Sequence, residues 1–214
     1  AALIEGIRRA ADRKADVIFV GASQPASPVW ASAGVEVPAA LDAAIDYAWD
    51  KGAVVIAPAG DDALPFCEHP AAHPRVVCVA ALAPQTGLPP YSNFPVHPGQ
   101  GVTLRAPGGM DGRSQNPTAA CEDPAAIWST TLAGSSADCG GSIGGYDTDA
   151  GTAFAAAHAA GVAALLAGWK LKNEKIVGCL RNWSSNEGMW EPIMGYGTLD
   201  ANTVTINCPK RRRR

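Results

Sequence analysis

The chain has 214 residues, 47% of them hydrophobic and only 7% aromatic, which suits one domain whose core is built from closely packed small residues. Its formal charge is −3, and removing the five positive charges of Lys210 and Arg211 to Arg214 leaves −8 for residues 1–209; such an acidic body argues against a nucleic-acid-binding surface. No run of about 18 apolar residues occurs, so no segment reads as membrane-spanning.

Leu3, Ile4, Ile7, Ala10 and Ala11 recur at helical spacing and predict a helix over 2–14. Asp16 to Val20 is a continuous apolar run of strand length, the signature of a strand buried on both faces of a parallel sheet. The Gly, Ser, Pro and Gln content of Gly21 to Val37 predicts a loop. A second helix is expected from Pro38, with Leu41, Ala44, Ile45 and Ala48 inward and its end near Gly52. Further strands are expected at Ala53 to Ala57, Arg75 to Leu82 and Val102 to Ala106, the last stopped by Pro107-Gly108-Gly109. Residues 107–150 are rich in Gly, Ser, Asp and Pro and read as irregular, which is long for a structureless connection and implies a role or a staple. Helices follow from Gly151 to Trp169 and from Glu174 to about Asn182, and a Gly-Tyr-Gly-Thr-Leu-Asp turn closes the pattern. Strand, helix, strand with apolar runs throughout predicts an α/β fold with a parallel sheet and right-handed crossovers. No repeat or linker divides residues 1–208, and 209–214 form a basic tail expected to be solvated.

Six cysteines, Cys67, Cys78, Cys121, Cys139, Cys179 and Cys208, fall as three successive local pairs with no C-x-x-C spacing. The even count suggests disulfides and an exported protein rather than structural zinc. Six cysteines allow fifteen pairings; the expectation is the local set, Cys67–Cys78, Cys121–Cys139 and Cys179–Cys208. The opening residues read as the middle of a domain, so the lack of a signal peptide carries little weight.

Three segments, in order, resemble the subtilisin-like serine proteases, the subtilase family. Asp16-Val-Ile-Phe-Val-Gly-Ala-Ser-Gln-Pro25 resembles the strand entering that family's substrate-lining Ser-x-Gly-Gly segment. Val54-Val-Ile-Ala-Pro-Ala-Gly-Asp61 resembles the strand ending in Ala-Gly-Asn, whose Asn donates to the oxyanion. Gly151-Thr-Ala-Phe-Ala-Ala-Ala-His158 and the residues after it resemble Gly-Thr-Ser-x-Ala-x-Pro-His-x-Ala-Gly, where Ser is the nucleophile. Tyr91-Ser-Asn-Phe, Leu104-Arg-Ala-Pro-Gly-Gly109 and Gly195-Tyr-Gly-Thr-Leu-Asp-Ala201 fit the family's supporting segments. The resemblance covers almost all of residues 1–208. It implies the C-terminal part of a subtilase-like domain: a partial, doubly wound parallel sheet in a three-layer αβα arrangement.

The resemblance also implies site residues. Ala153 stands where the nucleophile would be and has no hydroxyl; Asp61 stands at the oxyanion position, where some prohormone-processing relatives also carry Asp. Gly21, Ala22, Ser23, Pro58, Ala59, Gly60 and Thr152 match substrate-lining positions. Acyl transfer needs a hydroxyl, a His to take its proton and a carboxylate to orient that His. The family's Asp and His motifs precede the first helix and have no match here. His69, His73, His97 and His158 lack the context of the catalytic His, and Ser92, Ser129 and Ser142 read as ordinary loop serines. Ser23-Gln24 in place of glycines and Ala157 in place of Pro point to divergence rather than a single Ser replacement. The expectation is a catalytically inactive domain or fragment, secreted or extracytoplasmic, that binds a peptide or protein in the former cleft. Its own missing N-terminal half is a candidate partner. The competing expectation is a piece of a serine endopeptidase whose Asp and His lie in a separate N-terminal segment. No nucleic acid, membrane or metal is expected; the family often binds calcium, but no Asp-rich loop stands out. A small-molecule α/β fold is set aside because Gly21-Ala-Ser-Gln-Pro25 lacks the G-x-G-x-x-G spacing.

Overall fold

A computed structural model of the chain describes residues 2–23, 39–83, 87–96, 102–110, 126–132 and 145–209. The elements are α1 (Ala2–Asp12), β1 (Val17–Phe19), α2 (Ala39–Asp50), β2 (Val54–Pro58), β3 (Val76–Leu82), β4 (Val102–Pro107), β5 (Ile127–Thr130), β6 (Tyr146–Asp149), α3 (Thr152–Gly168), α4 (Asn173–Asn182) and α5 (Ala201–Asn207).

Four strands form one sheet in the order β1-β2-β3-β4, parallel at every pairing, with Val17 opposite Val54, Ile56 opposite Val77 and Val79 opposite Leu104. The continuous apolar runs are explained by burial on both faces. Val54, Ile56, Val77, Val79, Ala81, Leu104 and Ala106 pack against α3, α4 and α5. Val55, Ala57, Val76, Cys78 and Ala80 point the other way, against α1 and α2, whose Ile7, Ala11, Leu41, Ala44, Ile45 and Ala48 are buried. This is the three-layer αβα arrangement. Each fully buried Val, Ile or Leu contributes about 1.5–3 kcal/mol by leaving water.

Two differences from the sequence reading stand out. The stretch 107–150 is not wholly irregular: β5 and β6 pair antiparallel, Ile127 opposite Asp149 and Thr130 opposite Tyr146. The closing turn also leads into a helix. Asp200 caps α5, its carboxylate accepting from the amides of Asn202 (2.8 Å) and Thr203 (3.0 Å), which satisfies two of the helix's unpaired N-terminal donors.

Two of the expected disulfides are formed. Cys67–Cys78 has a Cα separation of 6.5 Å and Cys179–Cys208 one of 5.4 Å. Cys121, Cys139 and the tail residues 210–214 lie outside the described residues. Among the described residues, no helix is long and apolar enough to cross a membrane.

Candidate functional site

In open parallel sheets, ligands bind beyond the carboxyl ends of the strands. Here three strand ends and one helix start converge there: Val20 to Ser23 after β1, Ala59 to Asp62 after β2, Gly108-Gly109 after β4, and the first turn of α3. The ladders run straight into these turns, since Val20 N donates to Ile56 O and Ala59 N to Val79 O, each at 2.9 Å.

The turn after β2 is held by Asn93. Its backbone N donates to Gly60 O (2.9 Å) and its Nδ2 to Ala59 O (3.0 Å). Its Oδ1 accepts from the amides of Asp62 (3.0 Å) and Leu64 (2.8 Å). Gly60 must be glycine on two grounds. Its φ is +111°, and a Cβ would lie 2.3 Å from Asn93 Nδ2 and 2.6 Å from the Glu68 carboxyl. Neighbouring residues of the same motif are structural. Ser92 Oγ accepts from Ala81 N and donates to Asn93 O, both at 2.9 Å, while the Tyr91 hydroxyl is shared between Gly108 O and Gly109 O at 2.8 Å.

Helix α3 starts against this turn. Gly151 N donates to Gly108 O (2.9 Å), and Gly60 N donates to the buried Thr152 hydroxyl (3.2 Å). The Thr152 amide donates to Asp61 Oδ1 at 2.8 Å, and a Cβ at Gly151 would sit 3.3 Å from Asp61 Oδ2 and 3.9 Å from the Ala153 amide. Asp61 is exposed. A helix N-terminus favours an anion, and here the chain's own carboxylate takes that place, beside half-buried Ala153.

The structure thus brings together Ala153, Asp61, Gly60 and Thr152. Pro58, Ala59, Gly60 and Thr152 are buried, whereas Gly21 and Ala22 are exposed and Ser23 is half-buried. Two of the described histidines are hydrogen-bonded elsewhere. His158, exposed, has Nδ1 2.9 Å from Phe154 O. His73 Nδ1 accepts from Arg75 N (3.2 Å). His69 lies beside Asp42 and His73, and burial pushes its pKa below the usual histidine value. His97, Gln24 and Ser142 lie outside the described residues, and Ser129 is exposed on β5. Among the described residues no group of three or more His, Cys, Asp or Glu could hold a metal ion.

Sequence reasoning missed Glu68. Its side chain is 1% exposed and lies against Ser23, Asp62 and Asn93, so it joins the turn after β1 to the turn after β2. Burial, followed by the adjoining Asp62, raises its pKa above the ordinary 4.5, while Ser23 and Asn93 act the other way. The available signal was its place next to Cys67, whose disulfide to Cys78 draws this loop onto β3.

A model of the subtilase family matches residues 1–197. A thermophilic serine proteinase from Bacillus sp. strain AK1 is 28% identical over 193 residues, covering 89% of this chain. The chain spans 41% of that relative's length. Among solved structures, a lanthipeptide protease superposes with a TM-score of 0.74 at 21% identity, covering 96% of this chain and 66% of its own. A protease from Pseudoalteromonas arctica gives 0.72 at 26%, covering 96% and 58%. A prenylagaramide maturation protease gives 0.68 at 21%, covering 97% and 66%.

Proposed function

The chain belongs to the subtilase family, and from that premise we propose that these 214 residues form a protease-like domain without peptidase activity of its own. The cleft at the carboxyl ends of the strands then serves to bind a polypeptide. One observation carries the reading: the Asp61 carboxylate accepts the Thr152 amide at the start of α3, beside an alanine where the family has its nucleophile. Without a hydroxyl there is nothing to attack a carbonyl. With a carboxylate already on the helix N-terminus, a developing oxyanion would meet repulsion rather than a donor, and one lost donor costs about 2.7–4 kcal/mol.

Polypeptide binding is supported by the edge that the turn after β1 offers, with Ser23 standing there in place of a glycine. Gly21, Ala22 and Ser23 continue β1 at an accessible edge, and an extended peptide can add to such an edge by main-chain hydrogen bonds. The two disulfides favour a secreted or extracytoplasmic location.

A second reading rests on the 41% span of the curated relative. The family's Asp and His are then supplied by a separate segment, and the chain is one piece of an endopeptidase with its Ser replaced. In either case the unaltered chain should bind a fluorescent peptide library saturably, with no cleaved products by mass spectrometry. Turnover, or no saturable binding, contradicts the first reading.

A further inference from the structure

We propose that the seam between α2 and the loop from Cys67 to Cys78 is an acid-released latch: it closes on neutral His69 and His73 and opens when they take up protons. The two imidazoles meet the face of α2 on which Asp42, Asp46 and Asp50 recur every fourth residue. His73 is buried, and both its ring nitrogens are committed to the neutral form. Nδ1 accepts from Arg75 N at 3.2 Å, so the ring proton sits on Nε2, 3.8 Å from Asp46 Oδ1. A second proton would set an Nδ1–H against the Arg75 N–H and break that bond. The carboxylate that His73 faces is already shared. Arg75 Nη1 lies 3.0 Å from Asp46 Oδ1 and 3.3 Å from Asp50 Oδ1, so a charged His73 would crowd a second cation onto Asp46.

His69 resists a proton for a different reason. Burial is the leading cause that holds its pKa below 6.5; Asp42 acts the other way, and His73 adds to burial. The seam is also short of hydrogen bonds, since the buried His69 Nδ1 and Asp42 Oδ1 have no partner. Two unmatched acceptors favour opening, because water then supplies the donors. Among the described residues, the remaining charges nearby turn elsewhere. The Glu68 carboxyl lies against Ser23, Asp62 and Asn93, and α1, packed on α2, directs Asp12 and Arg8 to Tyr47. The closed loop therefore binds fewer protons than the open one. Closure is complete above about pH 6.5 and is lost as pH falls through the lowered value. The Cys67–Cys78 disulfide ties both ends of the loop, which keeps the opening local. The displacement reaches the turn after β2 through the Glu68 amide, which donates to Ala59 O at 2.8 Å.

Hydrogen exchange of the full chain, disulfides intact, is followed by mass spectrometry at about pH 7.5 and about pH 5.5 and corrected for intrinsic exchange rates. Opening of segment 67–78 is expected to rise about tenfold on acidification, the effect of one proton over one pH unit below 6.5, while α3 changes by less than about twofold. In His69→Asn/His73→Asn, whose amide oxygens can stand for Nδ1 and do not titrate, the rise should shrink to within about twofold. Comparing the two chains at each pH cancels the contribution of Glu68. Unchanged or slower opening of 67–78 in acid overturns the latch, as does an equal rise in the double variant. An equal rise in α3 overturns it too, because the acid response is then global. Where the double variant fails to fold, the C2-proton titration of His69 in the unaltered chain decides. A midpoint below 6.5 supports the latch, and one at or above 6.5 overturns it.

Discussion

The Thr152 amide donates a 2.8 Å hydrogen bond to Asp61 Oδ1, so a residue 91 positions earlier caps helix α3. Gly151, the residue preceding the helix, makes no side-chain cap, and the cap comes instead from the turn after β2. Asp61→Ala is expected to lower stability by about 0.5–2 kcal/mol, the range for losing an acceptor at a helix N-terminus. Asp61→Asn, which keeps an acceptor oxygen, should lose less. Thermal unfolding of both variants checks this; equal stability of Asp61→Ala and the unaltered chain would show the cap to be idle.

Glu68 gives the fold a pH dependence of definite sign. Burial holds its pKa above 4.5, so between that value and the raised one the native state binds the extra proton. The stabilisation is complete below about pH 4.5 and is lost as pH rises through the raised value. Glu68→Gln removes the dependence. The variant should be comparable to the unaltered chain near pH 4 and gain on it toward pH 8 in urea titrations. A difference between the two that stays constant across this range would show that Glu68 is not held neutral by the fold.

The two observed disulfides close loops of different length. Cys67 and Cys78 are 11 residues apart, Cys179 and Cys208 are 29 apart. Loop-closure entropy makes them worth about 3 and about 3.5 kcal/mol. Replacing both cysteines of either pair by serine should cost within that scale, read from denaturant midpoints. A loss under about 1 kcal/mol for both would mean that the unfolded chain is constrained by other means.

The β1 edge is apolar and unpaired among the described strands. Phe19 is 45% exposed, and Leu165 on α3 is 56% exposed. Helix α3 carries no Asp, Glu, Lys or Arg anywhere along its 17 residues, a composition expected of a helix covered on all sides. The chain should therefore self-associate at tens of micromolar, and Phe19→Lys should reduce this by charging the edge. Sedimentation velocity decides: a monomer unaffected by the substitution would contradict the open-edge account.

The buried strands were legible because burial on both faces leaves an unbroken apolar run: Val54 to Ala57 and Val76 to Ala81 have no other use. The β5–β6 pair was not, because Trp128, Ser129, Asp147 and Asp149 give little apolar signal and the partners are distant in sequence. Helix α5 hid behind the weak helix formers Asn202, Thr203, Val204 and Thr205; the Asp200 cap and the Cys179–Cys208 tether hold it. At the site, the place of Ala153 and Asp61 could be read from motif order. The hydrogen bond that joins Asp61 to α3, and the closure of Glu68 beneath Gly60, arise only when β2, the Cys67 loop and α3 meet.

The most direct measurement restores the hydroxyl alone. The full chain carrying Ala153→Ser is treated with a fluorophosphonate probe and with a mixed peptide library, beside the unaltered chain and Ala153→Ser/Asp61→Asn. A serine at a helix N-terminus remains a weak nucleophile without an adjacent base, and His73 and His158 are hydrogen-bonded elsewhere. The expected result is no labelling and no turnover above the unaltered chain in either variant. Labelling and peptide turnover by Ala153→Ser well above that background would contradict the account, because a base must then lie within these 214 residues.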